Sequence, residues 1–370
     1  MKQNITTINM KLPEVIFGTS GLGNLFVALP EEEKLKIVSE CIQLSNGKAV
    51  FDSAGKYGAG LALETLGKYL KQLNIPKENV IISNKLGWIR TELKTEEPTF
   101  EPGIWRNLKH DAIQQISYDG IIECFDQGNE LLNGYTPQLV SVHDPDEYMA
   151  LAKDEKDANR LYNDILDAYE ALFDLKQQGK VQAIGVGSKD WKVIMRIAAD
   201  VQLDWIMIAN SMTSKTHPKQ LLDFVIEMEK KGVYVINSAV FNSGFLVGSN
   251  YFDYKLINPG TPKSDALLQW RENFFETCNE FKIKPAEACA QFALHVPGVK
   301  SIALSTTHAH HVKENFDLIQ MDIPIQFWQA LKAKGLISVS YEQRFIERNS
   351  FYNLPEKFNE NINLHKAGRV

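Results

Sequence analysis

Eight short apolar runs recur along the chain, and each stops at small or polar residues. Their hydrophobicity is continuous rather than alternating, and many of their residues are β-branched. This pattern is typical of strands in a parallel sheet whose two faces are both covered. The predicted strands lie at residues 15–20, 49–54, 80–85, 139–144, 183–188, 205–210, 233–238 and 301–306.

The segments between these runs have a helical period. Apolar residues three and four positions apart predict helices at residues 31–45, 62–73, 163–178, 191–200 and 218–231. Strands that alternate with helices indicate a parallel sheet with right-handed crossovers, and eight strands are the number that closes a barrel. The predicted fold class is therefore α/β, a single (β/α)₈ TIM barrel over residues 1–338. Residues 339–370 are predicted to form a C-terminal tail packed on the barrel.

Two of the predicted connections are unusually long. Residues 87–109 are polar and show no helical period, and residues 242–263 are rich in Gly, Asn, Tyr and Pro. Long loops inside a compact domain usually serve as lids or clamps. Both leave the C-terminal ends of strands, where barrel enzymes keep their active sites, so we expect both to border a functional site.

The composition is that of an ordinary folded protein, with 44% hydrophobic and 23% charged residues in a chain of 370. The net charge of −6 and the lack of a lysine- or arginine-rich block argue against nucleic acid as a partner. Four cysteines are too few and too scattered for a disulfide framework. No segment resembles a signal peptide or a membrane span, so we expect a cytoplasmic protein that does not insert into membranes.

Ionisable side chains stand at the ends of three successive predicted strands. Asp52, Lys85 and His143 lie at these ends, and Tyr57 follows Asp52 in the loop FDSAGKYGAG. Each residue alone is explained as an ordinary polar group at a strand end. The four together are harder to explain in that way, because a lysine that ends an apolar strand needs a partner when it is partly buried.

A proton relay is the chemistry that these residue types support. A tyrosine hydroxyl has a pKa of about 10, and a nearby ammonium group stabilises the phenolate and lowers that value. A carboxylate keeps the lysine charged, and a histidine orients the substrate oxygen or shares its proton. The group therefore predicts interconversion of a carbonyl and an alcohol, with the hydride carried by a cofactor.

Five motifs in a fixed order carry a resemblance to a known family. They are FDSAGKYGAGLALETLG, ISNK, VHDP, GKVQAIGVG and KPAEACAQFALHVPGVKSIALSTTHAHHVKENF. With these motifs the chain resembles the aldo-keto reductase superfamily over residues 13–322. The resemblance implies a nicotinamide cofactor and assigns a catalytic tetrad to Asp52, Tyr57, Lys85 and His143.

Further segments resemble one branch of that superfamily, the NAD-linked aldose 1-dehydrogenases that act on D-threo-aldoses, L-fucose or L-galactose. These segments are GTSGLGNLF, SYDGIIECFDQGNELL, VHDPDEY and FNSGFL. The resemblance implies oxidation of the anomeric carbon of an aldose to a lactone, with Tyr57 as the base; related enzymes also oxidise pyridoxal. Two alternatives stay open, an NADPH-dependent carbonyl reductase and a cofactor-binding regulatory subunit of a channel.

The resemblance also implies which residues contact the cofactor. The family usually has Ser-Asn after strand five, where this chain has Gly187 and Ser188. NADP-using members place a lysine after strand eight and an arginine six residues later, where this chain has Ser305 and His311. Because these two cations are missing, NAD is predicted over NADP. The predicted cofactor contacts are Gly18, Thr19, Ser20, Gly187, Ser188, Asn210, Ser238, Phe241, Asn242, Ser243, Gly244, Leu246, Ser305, Thr306, His311, Glu314 and Asn315.

Three further features have competing interpretations. Trp88 and Trp105 are candidate substrate-binding residues, which either stack on a sugar ring or pin the first long loop to the barrel. His308, His310 and His311 form a histidine cluster, but no metal site is predicted there because the ligand set is incomplete. The acidic run at residues 144–157 is interpreted as a solvated face.

Overall fold

The computed structural model describes residues 11–45 and 47–338, so the predicted tail at residues 339–370 lies outside the described residues. Eight parallel strands close into a barrel. The predicted fold class is therefore confirmed. The barrel strands are β1 (Val15–Gly18), β2 (Ala49–Ala54), β3 (Val80–Leu86), β6 (Leu139–His143), β7 (Ala183–Ser188), β8 (Trp205–Ala209), β9 (Tyr234–Ser238) and β12 (Val299–Ser305). Around the barrel they follow the order β1-β12-β9-β8-β7-β6-β3-β2.

The helices lie between the barrel strands and after the last of them. Within the described part of the chain, no helix is both long and apolar enough to cross a bilayer. Their bounds are α1 (Glu31–Leu44), α2 (Leu61–Gln72), α3 (Tyr118–Leu131), α4 (Pro145–Met149), α5 (Glu155–Gln177), α6 (Trp191–Asp200), α7 (Lys219–Lys230), α8 (Pro262–Glu280), α9 (Pro285–Leu294), α10 (His310–Asp317) and α11 (Ile325–Ala333).

The interior of the barrel is filled by side chains from the barrel strands themselves. Ile16, Val50 and Ile236 belong to this cluster, and the fully buried Trp205 is its largest member. A Cβ atom at Gly185 would lie 2.3 Å from the Trp205 ring, so the glycine makes room for the indole. The barrel is thus a closed core, and ligands have access only to its ends.

Both long connections contain strands that the hydrophobic pattern did not predict. The connection after β3 folds into an antiparallel hairpin, β4 (Trp88–Glu92) with β5 (His110–Gln114). The connection after β9 contains a short hairpin, β10 (Tyr251–Phe252) with β11 (Lys255–Leu256). Strand pairing satisfies the backbone groups of these polar segments, which lack the apolar runs that signalled the barrel strands.

The two long connections meet the loop that follows β1 at the carboxyl end of the barrel. The amide of Phe26 donates a hydrogen bond of 2.8 Å to the carbonyl of Ile104, and Leu25 forms an isolated bridge with Trp105. The Phe26 ring stacks on Tyr251 with ring centroids 5.1 Å apart. The two long connections and the loop after β1 therefore lie together at this end of the barrel.

Candidate active site

The register of the barrel brings three of the predicted catalytic residues to one end. Asp52, Lys85 and His143 lie on β2, β3 and β6, which are neighbours in the sheet. Lys85 pairs with Ala54, and His143 pairs with Gly187, close to the carboxyl ends of their strands. Because parallel strands all end on the same side, these side chains converge at the barrel mouth.

Asp52 and Lys85 form a buried ion pair in this mouth. The Lys85 Nζ lies 2.5 Å from Asp52 Oδ2, and the Ser83 hydroxyl donates to Asp52 Oδ1 at 3.1 Å. Neither charged residue exposes more than 3% of its surface. A Cβ atom at Gly187 would lie 3.0 Å from Lys85 Cδ, so the glycine leaves space for the lysine stem. The pair keeps both charges compensated away from water.

Tyr57 lies against this pair and against the histidine. The Lys85 ammonium lies 4.7 Å from the centroid of the Tyr57 ring, and the His143 ring meets the Tyr57 ring edge-on at 5.6 Å. Burial, and then the Asp52 carboxylate, raise the pKa of Tyr57 well above its ordinary value. The prediction that the ammonium would lower this pKa therefore does not hold for the protein alone, because burial outweighs it.

His143 is buried and neutral. Burial lowers its pKa to about 3, and its Nδ1 atom has no hydrogen-bond partner among the described residues. A neutral imidazole can donate a hydrogen bond from one ring nitrogen without carrying a charge. His143 is therefore suited to orient a carbonyl or hydroxyl oxygen rather than to act as a cationic acid.

Two cavities that share several lining residues open at this end of the barrel. A long groove of about 360 Å³ begins at Asp52 and Tyr57 and extends to Ser305 and His311. A smaller inner cavity of about 120 Å³ is lined by Tyr57, Lys85 and His143. Tyr57 borders both cavities, so a ligand in the groove and a second ligand in the inner cavity would meet at its side chain.

The groove is lined in part by glycines at positions where a side chain would not fit. Its wall includes Gly21, where a Cβ atom would lie 2.3 Å from the carbonyl oxygen of Thr306, and Gly244, whose φ of 84° favours glycine. Nine predicted cofactor residues line the groove: Gly18, Ser20, Ser238, Phe241, Ser243, Gly244, Ser305, Thr306 and His311.

The other predicted cofactor residues lie elsewhere. Gly187 and Ser188 line the inner cavity, where the Ser188 hydroxyl donates to Asp146 Oδ1 at 2.6 Å. Asn210 and Asn242 line a neighbouring depression, and both hydrogen-bond to Asp253. The hydroxyl of Thr19 donates to the Asp52 carbonyl. Four predicted residues line none of these three cavities: Thr19, Leu246, Glu314 and Asn315.

The far end of the groove carries no fixed cation among its lining residues. The hydroxyls of Ser305 and Ser20 lie 2.9 Å apart, and the half-exposed His311 has its Nε2 atom 3.7 Å from a carboxylate oxygen of Glu314. Burial, and then His310, lower the pKa of His311. At neutral pH this end therefore presents hydroxyl and neutral imidazole groups.

The two candidate tryptophans have different surroundings. Trp105 lines the inner cavity, and its Nε1 atom donates to Glu101 Oε2 at 2.6 Å. Trp88 lies behind it, with its ring 5.0 Å from the Lys56 ammonium and 5.8 Å from the Phe100 ring. Trp105 therefore borders the inner cavity, whereas Trp88 is not among the residues that line it.

A second set of charged side chains lines the inner cavity and was not predicted. We call it the charged wall; it consists of Lys56, Glu101, Asp144, Glu147 and Lys189. Asp144 and Glu147 belong to the run interpreted as a solvated face, and for these two residues that interpretation is wrong. The available signal was their position in the motifs, since Lys56 precedes Tyr57 and Asp144 follows His143.

The histidine cluster lies at the start of α10. The ring centroids of His310 and His311 are 4.1 Å apart, and His308 lies 5.3 Å from His311. Within the described residues, no group of His, Cys, Asp and Glu side chains has an arrangement that could hold a metal ion.

Three curated proteins resemble the chain over most of its length. They are pyridoxal 4-dehydrogenase of Microbacterium luteolum (26% identical; 87% of this chain and 93% of the relative), D-threo-aldose 1-dehydrogenase of Pseudomonas sp (24%; 89% and 95%) and L-galactose dehydrogenase of Arabidopsis thaliana (24%; 83% and 84%). Each is a dehydrogenase by name, but the three names differ in substrate.

Solved structures support the fold. An aldo-keto reductase from Bacillus halodurans matches with a TM-score of 0.62 and 19% identity, covering 88% of this chain and 92% of that one. A glycerol dehydrogenase from Gluconobacter oxydans matches with a TM-score of 0.64 and 16% identity, covering 89% and 93%. The sequence pattern of the Aldo/keto reductase family matches residues 14–335. The chain therefore belongs to the aldo/keto reductase family and is an oxidoreductase of that family.

Proposed function

We propose that the protein is an NAD-dependent aldose 1-dehydrogenase, which oxidises the anomeric carbon of a sugar to a lactone. The observation that carries the proposal is the position of Tyr57, at the junction of the long groove and the inner cavity and beside the Asp52–Lys85 pair. A bound nicotinamide nucleotide would supply the hydride acceptor. The dehydrogenase names of the three curated relatives support the oxidative direction.

Each side chain of the catalytic group would have a separate role in this reaction. The Tyr57 phenolate takes the proton of the anomeric hydroxyl and becomes a phenol, and the Lys85 ammonium stabilises the phenolate from which the step starts. Asp52 holds Lys85 through their 2.5 Å contact. The neutral His143 orients the reacting oxygen by a hydrogen bond.

NAD is the proposed cofactor because the residues that line the groove include no lysine or arginine to bind the additional phosphate of NADP. Ser305 and His311 line the groove, and neither is a fixed cation. The carboxylate of Glu314 beside His311 would repel the additional phosphate of NADP. A charge-assisted contact to phosphate contributes roughly 1.5–3 kcal/mol, so two missing contacts disfavour NADP by tenfold or more.

The proposed location is the cytoplasm. The thiols of Cys41, Cys124, Cys278 and Cys289 are free and buried, which suits a reducing compartment.

A carbonyl reductase on the same scaffold is the second candidate, and one observation favours it. The raised pKa of Tyr57 keeps its phenol protonated at neutral pH, which suits a proton donor to a carbonyl oxygen. Reduction is therefore expected to proceed at lower pH than oxidation in the same protein.

The decisive experiment measures both directions with both cofactors. Initial rates are compared for NAD and NADP with a panel of aldoses at pH 8, and for NADH and NADPH with simple aldehydes at pH 6. We expect oxidation of aldoses with NAD to have the highest kcat/KM, with a lactone as the product. Faster aldehyde reduction with NADPH would replace the proposal by the second candidate, and binding of nucleotide without turnover would favour a regulatory subunit.

A further inference from the structure

The charged wall surrounds an almost fully buried lysine. The Lys56 Nζ lies 2.6 Å from Glu147 Oε2 and 2.9 Å from both Glu101 Oε1 and Asp144 Oδ2. Lys189 extends the wall, with its Nζ 3.2 Å from Glu147 Oε1. Side-chain exposure rises from 4% for Lys56 to about one third for Glu101 and Lys189. The lysine thus lies at the back of the wall, and the outer members keep polar atoms accessible.

The wall lies in the same cavity as the reacting groups. Lys56 is the chain neighbour of Tyr57, and Asp144 is the chain neighbour of His143. His143 Nε2 and Asp144 Oδ2 are 3.5 Å apart. Any molecule whose reacting carbon is held between Tyr57 and His143 in this small cavity would therefore have the rest of its skeleton close to the wall.

The charge balance of the wall selects a kind of substrate. It has two ammonium groups and three carboxylates, hence a net charge of −1 (2 − 3), and each ammonium is already within 3.2 Å of a carboxylate. The remaining cation of the cavity, Lys85, is paired with Asp52, so an anionic substrate would find no uncompensated positive charge. A hydroxyl group can donate to a carboxylate and accept from an ammonium, so neighbouring hydroxyls fit an alternating array of this type.

We propose that the charged wall is a hydroxyl-binding subsite, which selects neutral polyhydroxylated substrates and rejects those with a phosphate or carboxylate at the far end. The inference rests on the proposed function and specifies its substrate class. Glu147 and Lys189 are its accessible acceptor and donor. Lys56 is a positioning residue that holds the three carboxylates together.

The test changes two outer members of the wall and keeps Lys56 itself. Glu147→Gln also removes one of the three carboxylates around Lys56, whereas Lys189→Met leaves all three in place. Glu147→Gln and Lys189→Met each remove one charge from a partly exposed pair. Glu280→Gln and Lys334→Met are the matched controls, because these residues form a comparable pair of 2.8 Å and 39–54% exposure that lines neither cavity. Each protein is assayed with L-galactose, its 6-deoxy analogue L-fucose, other monodeoxy analogues and the 6-phosphate ester.

In the unchanged protein, we expect at least one monodeoxy analogue and the phosphate ester to have kcat/KM values tenfold or more below that of the parent sugar. Glu147→Gln and Lys189→Met should lower kcat/KM for the parent sugar by roughly 10- to 100-fold, mainly through KM. For the deoxy analogue that lacks the hydroxyl bound by the wall, the same variants should change kcat/KM by less than threefold. The control variants should leave kcat/KM unchanged for both the parent sugar and the analogue.

Two results would overturn the inference: equal use of parent and deoxy sugars by the unchanged protein, or an equal loss for both in the variants. If no aldose is oxidised, the proposed function fails. The same comparison is then made with glyceraldehyde against propanal as substrates for reduction, where a preference for the hydroxylated aldehyde that disappears in Glu147→Gln would still support the subsite.

Discussion

At the scale of single residues, the chemistry depends on one phenol and on the charges that surround it. Tyr57 borders both cavities, its ring touches His143 and it lies 4.7 Å from the Lys85 ammonium. Its pKa is raised, so the phenolate becomes more abundant only as the pH rises. We therefore expect the rate of oxidation to increase with pH through the neutral range, and the rate of reduction to decrease.

Replacement of Tyr57 tests its role directly. Tyr57→Phe removes only the hydroxyl, so kcat should fall by roughly 10²- to 10⁴-fold while the affinity for the nucleotide stays within a few-fold. Steady-state kinetics and a binding titration measure the two quantities. Tyr135→Phe is the control, since that hydroxyl donates to the carbonyl of Ile75 away from the cavities. Normal turnover in Tyr57→Phe would remove the residue from the mechanism.

Lys85→Met should affect both stability and pH dependence. The variant leaves the Asp52 carboxylate buried without its partner, which costs roughly 3–5 kcal/mol of unfolding free energy. The uncompensated carboxylate should also raise the pKa of Tyr57 further, so residual oxidation should require a higher pH. Lys176→Met breaks another ion pair of low exposure, with Asp204, and should lose stability without any shift of the pH–rate profile. An unchanged profile in Lys85→Met would show that the lysine does not tune Tyr57.

At the scale of elements, the loop after β1 and the loop after β2 are held together by a close approach of their backbones. Gly58 has a φ of 63°, and a Cβ atom there would lie 2.2 Å from the carbonyl oxygen of Gly23. Tyr57 is the preceding residue, so this contact fixes the direction in which its side chain enters the cavities.

Gly58→Ala should therefore lower both the melting temperature and kcat. A left-handed alanine alone costs roughly 1 kcal/mol, and the added backbone clash must displace one of the two loops. Gly179→Ala separates the two effects, because Gly179 has a φ of 71° with nothing within 4 Å of the added Cβ. We expect the control to lose a little stability and no activity. Equal behaviour of both variants would mean that the close approach does not position Tyr57.

The end of β12 and the start of α10 should set the choice of cofactor. The double variant Ser305→Lys with His311→Arg places two cations in the lining of the groove and should increase kcat/KM with NADP by tenfold or more at pH 8. The value with NAD should change by only a few-fold. A preference for NADP in the unchanged protein, or no gain in the variant, would show that the additional phosphate is bound elsewhere.

At the scale of the whole molecule, the buried neutral His143 links stability to pH. Its folded-state pKa is about 3, whereas an exposed histidine titrates near its ordinary value of about 6.5. Between these values the unfolded chain binds a proton that the folded protein does not, so the free energy of unfolding decreases as the pH falls. At pH 5 this effect of His143 lowers the free energy of unfolding by about 2 kcal/mol relative to high pH.

His143→Gln should remove this contribution. It is measured by denaturant unfolding of both proteins at pH 8 and pH 5. Between these pH values, the free energy of unfolding of the unchanged protein should decrease by about 2 kcal/mol more than that of His143→Gln. The sign of this change is diagnostic, because a histidine whose charged form is stabilised by folding would make the free energy of unfolding larger at pH 5 than at pH 8. The same loss in both proteins would show that His143 does not titrate as its burial implies.

The positions of the barrel strands could be determined from the sequence alone. Each strand carries its own apolar run, and a buried parallel strand must be apolar on both faces, so the signal is local. The observed ends of all eight lie within two residues of the predicted ones. The sequence also predicts that Asp52, Lys85 and His143 lie at one mouth of the barrel, because closure of a parallel barrel brings the carboxyl ends of all its strands to one side.

Only the tertiary structure decided what surrounds those residues. The hairpin of β4 and β5 pairs Glu92 with His110 across a polar segment that has no periodic signal. The charged wall depends on contacts between Lys56 and residues 88 and 91 positions away in the chain, Asp144 and Glu147. An ion pair of this kind leaves no periodicity in the sequence, because it is created by the packing of loops from different strands. The catalytic group is thus predictable from local motifs, whereas the charge of the inner cavity depends on how the loops after β2, β3, β6 and β7 fold against each other.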